Sequence, residues 1–357
     1  MMAQISMSRL FRQSTTSSVR QSILRPMQAR SYGSNSVIPT FTQTSSPELN
    51  ESLERFRNEV FIPLGLPKRQ QKSVFRQKYA KQLENEPIVV KISETEEFTL
   101  TPKKHHELPS KKEAFQVFKI MFETKNFSNL FPYVSGLHMS NYRMNSNRWE
   151  LLIRKTSEAG KLSTIIECAK QSSRTGLSLG NRNIARRLFF ELHRTAMKAD
   201  FKGPATVKAL KLAREAASLM DSHQHSIRDI ANDPKYQPFV IGTLLELSAA
   251  CAEFKEAEWS LVRGYAQKLD AAWSRGNFKD DAPTSRFGNI ERVEENLALY
   301  NGMLKALQLP RVSEETGTFK ARCDELKPVL ISQLKRFDNA DVLNDSVVKQ
   351  LLSENAK

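Results

Sequence analysis

Apolar residues recur at helical spacing along most of the chain, and residues 147–180 show it most clearly. Trp149, Leu152, Ile153 and Thr156 form one stripe. Ala159-Gly160-Lys161 interrupts it, since glycine readily takes the left-handed conformation of a helix end. Leu162, Ile165, Ile166 and Ala169 resume the period, and Gly176 closes a second helix. Two helices this short cannot bury both stripes alone. They need neighbours, which is the logic of a stacked repeat.

The same period predicts helices on both sides. Leu49 to Val60 is a short amphipathic helix. Lys111 to Glu123 and Phe127 to Met139 make a pair whose turn, Thr124-Lys125-Asn126, falls about 35 residues before the Gly160 turn, as in a degenerate preceding repeat. Further helices are expected over 181–199, from Gly203-Pro204 to about Met220, and over 239–252, 256–275, 290–307, 314–337 and 341–353. Residues 86–102 alternate with period two instead. Ile88, Val90 and Ile92 share one face and Ser93 to Glu97 is the turn of a hairpin. The expected fold is mostly α, a helical-hairpin repeat array of α-solenoid type with a small β-hairpin near the N-terminus.

The order Trp149, Leu152-Ile153, Ala159-Gly160-Lys161-Leu162 and Gly176 resembles a pentatricopeptide repeat. The resemblance covers one unit, about a tenth of the chain. It implies RNA as the partner, read one base per repeat by a polar residue in the first helix and another at the repeat's end. The matching positions hold Glu150 and Gly180, neither of which is an Asn, Thr, Ser or Asp. The resemblance therefore implies the fold more than a base code.

Composition adds direction. The 357 residues carry a net charge of +15, which favours a polyanionic partner such as RNA or an anionic membrane surface. Hydrophobic residues make up 39%, low for one globular core but enough for stacked amphipathic helices, and no run of 18 apolar residues predicts a transmembrane helix. Residues 1–32 hold five arginines, seven serines and no acid, the composition of a mitochondrial transit peptide, with Arg30-Ser31-Tyr32-Gly33 resembling a matrix-peptidase site. Without those five charges the remainder still carries about +10. Four segments are expected: the transit peptide 1–32, a disordered linker 33–50, a basic extension 51–109 and an α-helical repeat domain 110–357.

Two basic clusters are candidate RNA-binding sites. Lys68, Arg69, Lys72, Arg76, Lys78 and Lys81 occur without an acid, interleaved with Phe75 and Tyr79. The cations suit phosphates and the aromatics suit a base, a partner protein or a small core. Arg182, Arg186, Arg187, Arg194, Lys198, Lys208 and Lys211 line the second, where Lys202 and Arg214 bring nine cations against Glu191 and Asp200. The alternative for that stripe is a solvated face whose long side chains cover an apolar one.

Other chemistry is thin. Cys168, Cys251 and Cys323 are far apart and read as reduced, buried thiols. The pairs His105-His106 and His223-Gln224-His225 lack further ligands, so no metal is expected and the latter reads as a surface loop. Trp259 and Trp273 read as core anchors. No phosphate-cradling loop, dinucleotide fingerprint, nucleophile elbow or HExxH is present, so neither an enzyme nor a cofactor is expected. The functional expectation is an RNA-associated protein of the mitochondrial matrix acting in gene expression. Its partners would be rRNA or mitochondrial mRNA, and the mitochondrial ribosome. The alternative is a non-enzymatic adaptor or respiratory-complex assembly factor with peripheral contact to the inner membrane.

Overall fold

The computed structural model describes residues 38–92, 96–253, 259–276, 278, 286–309, 317–336, 348, 349, 351 and 353. The expected transit peptide lies outside them, as does most of the helix expected over 341–353.

The first helix, α1 (Pro47–Phe56), starts where Pro47 follows Ser46, whose hydroxyl accepts from Leu49 N. It buries Leu49, Leu53 and Phe56 and runs through a π-turn, Arg57–Phe61, into α2 (Ile62–Gly65). The expected linker is not loose over residues 38–50. Pro39 is buried and Phe41 packs on the core. Asn129 accepts from Thr42 N (2.9 Å) and donates to Thr42 O (2.7 Å), as a neighbouring strand would. A few apolar residues and one side-chain amide thus seat a segment whose composition looks solvated.

Residues 66–108 gather around a small core of their own, Leu66, Val74, Leu83, Val90 and Leu100. It is built from α3 (Lys68–Phe75), an elbow at Arg76, α4 (Ala80–Asn85) and the antiparallel strands β1 (Val89–Lys91) and β2 (Glu97–Thr99). Of the three residues expected to share one face, Val90 alone is buried, and Ile88 is 43% exposed. Strands of three residues present just one inward position to so small a core. Arg57 ties this module to the helical body. It donates from Nε to Pro39 O (3.0 Å) and pairs in bidentate fashion with Glu96, whose carboxyl the Arg57 hydrogen bonds hold below its ordinary pKa.

The array follows as α5 (Lys111–Glu123), α6 (Leu130–Met139), α7 (Ser146–Glu158), α8 (Ser163–Lys170), α9 (Ser172–Thr175), α10 (Arg182–Met197), α11 (Gly203–Met220), α12 (Pro238–Ala252), α13 (Trp259–Ala272), α14 (Arg286–Leu307) and α15 (Phe319–Lys335). Ser110, Asn145 and Asn181 cap α5, α7 and α10 through their side chains. Gly160 and Gly176 take φ of 68° and 73° at the turns the sequence marks. The second helix of that hairpin breaks once, at Gln171, before Gly176 ends it. First helix stacks on first helix (α7 on α10) and second on second (α8 on α11), as a hairpin array requires. Beyond α11, α12 packs against α10, α11, α13 and α14 at once. It is buried along its whole length. Gly242 permits this, because a Cβ there would lie 2.8 Å from Leu299 Cα on α14. Trp259 and Trp273 are half-buried beside this second core, and Trp273 stacks on Phe278 at 4.2 Å.

Candidate nucleic-acid interface

The arginine-rich face of α10 points inward. Arg186 and Arg194 are buried, at 4% and 7% exposure. Arg186 reaches Glu294 (3.2 Å), Glu291 (2.9 Å) and Glu150 (3.5 Å). Arg187 pairs with Glu294 at 2.7 Å and Arg182 with Glu295 at 2.8 Å, while Arg194 bonds Glu191 at 3.2 Å. Four arginines thus meet five glutamates, three of them from α14. The structure places the expected RNA-binding residues Arg182, Arg186, Arg187 and Arg194 in ion pairs with glutamates. Their guanidinium groups are held by carboxylates, in two cases out of water, and their positive charge is cancelled locally. Burial drives the Glu294 carboxyl up to about 7 despite Arg187 and Arg186 beside it. Glu295 and Glu150 are raised for the same reason.

The two positions a pentatricopeptide code would use are also occupied. Glu150 is half-buried and engaged with Arg186 of the next helical pair. At Gly180 a Cβ would lie 2.4 Å from the backbone oxygen of His225, so glycine is required there by packing. His225 is not on an open loop. It is buried, its Nδ1 accepts from Leu179 N (3.1 Å) and its Nε2 donates to Ala169 O (3.0 Å). Burial lowers its pKa, in keeping with a neutral ring bridging two backbone groups. The spacing His-x-His gave no sign of this role, because the contacts span 46 and 56 residues.

The remaining candidate cations face solvent. Lys68, Arg69 and Lys72 lie exposed on α3, Arg76 at the elbow, Lys78 on the turn after it, and Lys81 on α4. The two aromatics of this cluster are half-buried. Phe75 is stacked on His105 at 4.4 Å and 11°, and the Lys78 ammonium lies 4.6 Å from the centroid of the Tyr79 ring. The Tyr79 hydroxyl is held below its ordinary pKa by its hydrogen bond to Lys78 and that residue's charge, with Arg76 and Lys72 adding to the positive field. A second group, Lys198, Lys202, Lys208 and Lys211, is exposed at the end of α10 and along α11. The structure therefore splits the expected stripe into arginines of α10 paired with glutamates and a group of exposed lysines.

Among the described residues no helix is long and apolar enough to cross a membrane. None of their His, Cys, Asp and Glu side chains group in threes as a metal ion requires.

Comparison with known proteins gives two findings. The family described as mitochondrial ribosomal protein mS27 matches residues 26–352. The small ribosomal subunit protein mS27 of Neurospora crassa is 29% identical over 201 residues, 56% of this chain and 50% of the relative. The chain spans about half the length of that curated relative.

Proposed function

We infer the function from the premise that this chain belongs to the mitochondrial ribosomal protein mS27 family. Proteins of this family are structural parts of the translation machinery of the mitochondrial matrix, not enzymes. We propose that this chain is a component of the small mitoribosomal subunit and meets rRNA through the exposed cations of residues 68–81. One observation carries the reading. Six lysines and arginines in fourteen residues are all exposed, with no acid among them, on a module with its own small core. Such a surface attracts phosphates without reading sequence. Lys198, Lys208 and Lys211 form a second, weaker contact surface in this reading.

The hairpin α7–α8 is, in the same reading, a pentatricopeptide-like repeat that keeps the packing positions of its pattern. It has given its two reading positions to an ion pair and a close backbone approach. Residues 1–32 serve as the import signal.

Ultraviolet cross-linking of assembled small subunits, followed by mapping of RNA-linked peptides, tests the assignment. Adducts are expected within 68–81, with fewer in 198–211 and none in 182–194. Adducts confined to 182–194, or their absence from 68–81, would overturn it.

A further inference from the structure

The exposed surface lacks something that recognition of unpaired RNA needs. Single strands are held by aromatic side chains on which bases stack, inside a groove of positive charge. Among the described residues no Phe, Tyr or Trp is fully exposed, and the exposed large hydrophobic residues are the aliphatic Ile88, Val89, Ile230 and Leu307. The two aromatics inside the basic segment are half-buried, each with one ring face engaged. Phe75 spends a ring face on His105 and Tyr79 has the Lys78 ammonium over its ring. The base-reading positions of the helical array are closed by Arg186 and by the His225 carbonyl.

What remains is a rigidly mounted set of cations on two helices. Lys68, Arg69 and Lys72 stand on α3 and Lys81 on α4, and the extended backbone at Arg76 (φ −96°, ψ 120°) separates the two helices, which pack on one small core. Backbone hydrogen bonds lock this elbow, from Arg76 N to Lys72 O (3.1 Å), Tyr79 N to Arg76 O (2.9 Å) and Lys103 N to Val74 O (2.9 Å). Exposed charge carried on two helices of one small core suits the phosphates of a duplex, which lie along two strands. A double helix also hides its base faces and displays phosphates and 2′-hydroxyls, which are what this surface is equipped to contact.

We propose that the RNA met by residues 68–81 is double-helical, recognised through its phosphate–ribose backbone and not through unpaired bases. This rests on the RNA contact proposed above for the same residues and adds the form of RNA that it takes.

The test is fluorescence anisotropy of the full chain, lacking only residues 1–32, against two probes with equal numbers of phosphates. One is an RNA hairpin of about 16 base pairs, the span of a typical shape-reading domain. The other is oligouridylate. Both are titrated across salt concentration, for the unaltered chain and for the variant carrying Lys68→Glu, Arg69→Glu and Lys72→Glu, with circular dichroism confirming that the variant folds. The hairpin is expected to bind at least about tenfold tighter than oligouridylate, irrespective of its sequence, and the variant to flatten the log–log salt slope by about 2 to 3. Oligouridylate binding as tightly as the hairpin would overturn the double-helical assignment and leave the RNA contact standing. A hairpin preference that the variant does not weaken would overturn its location in this segment. Failure of both probes to bind at low salt would overturn the RNA contact itself.

Discussion

Arg186 and Lys208 both lie on helix faces that the sequence makes basic, yet one is buried among carboxylates and the other is in water. The difference is written in the residue types. Between 182 and 194 every cation is arginine, and from 198 to 211 every cation is lysine. A guanidinium is planar, weakly hydrated and offers several donors in fixed geometry, so it tolerates burial against carboxylates where an ammonium does not. That signal was legible. The glutamates that complete the network were not, because Glu291, Glu294 and Glu295 lie more than a hundred residues downstream on a helix whose packing no local pattern dictates. Replacing Arg186 with methionine is expected to destabilise the fold by about 3 kcal/mol, because it strands buried carboxylate charge. Denaturant unfolding checks this, and the salt slope of RNA binding should stay unchanged. Lys208→Met should do the opposite, holding stability within about 0.5 kcal/mol.

The same network predicts a pH dependence. Glu294 has a folded-state pKa near 7, raised from 4.5 by burial. Its contribution to stability is therefore complete below pH 4.5 and is lost as pH rises through 7. Relative to a Glu294→Gln variant, the unaltered chain should lose on the order of 3 kcal/mol between pH 4.5 and 7. Thermal unfolding of both proteins across that range measures the difference, and parallel curves would contradict the account.

At the scale of elements, helical period and turn glycines located the array well, and the hairpin α7–α8 begins and turns where its pattern says. Break points were less legible. The interruption at Gln171 and the close crossing of α12 and α14 depend on tertiary neighbours, not on local propensity. Gly242 and Gly264 show the contrast. Both lie inside helices, where alanine ordinarily gains up to about 1 kcal/mol over glycine. At Gly264 a Cβ meets open space, so Gly264→Ala is expected to stabilise by that amount. At Gly242 it strikes the backbone of α14, so Gly242→Ala should destabilise by about 2 kcal/mol through overpacking. Calorimetry of the two single variants reads both signs. The small module escaped a composition-based reading because its five-residue core is spread over 35 residues of mostly polar chain. What the pattern did show there was its hairpin and its run of cations.

At the scale of the whole molecule, among the described residues, the arginines of α10 are paired with glutamates, while the 68–81 module and α11 each carry a group of exposed cations. In the function proposed above, such a chain uses its repeats for packing and its exposed cations for RNA. The central claim is that contact, and the most direct measurement is gradient sedimentation of mitochondrial extract from cells expressing either the unaltered chain or the Lys68→Glu, Arg69→Glu, Lys72→Glu variant, with magnesium present and at stepwise higher salt. The account predicts that the unaltered chain co-migrates with the small subunit, and that the variant, equally folded, leaves it at lower salt. A variant that stays with the subunit as firmly as the unaltered chain, or an unaltered chain that sediments as a small species indifferent to ribonuclease, would contradict it.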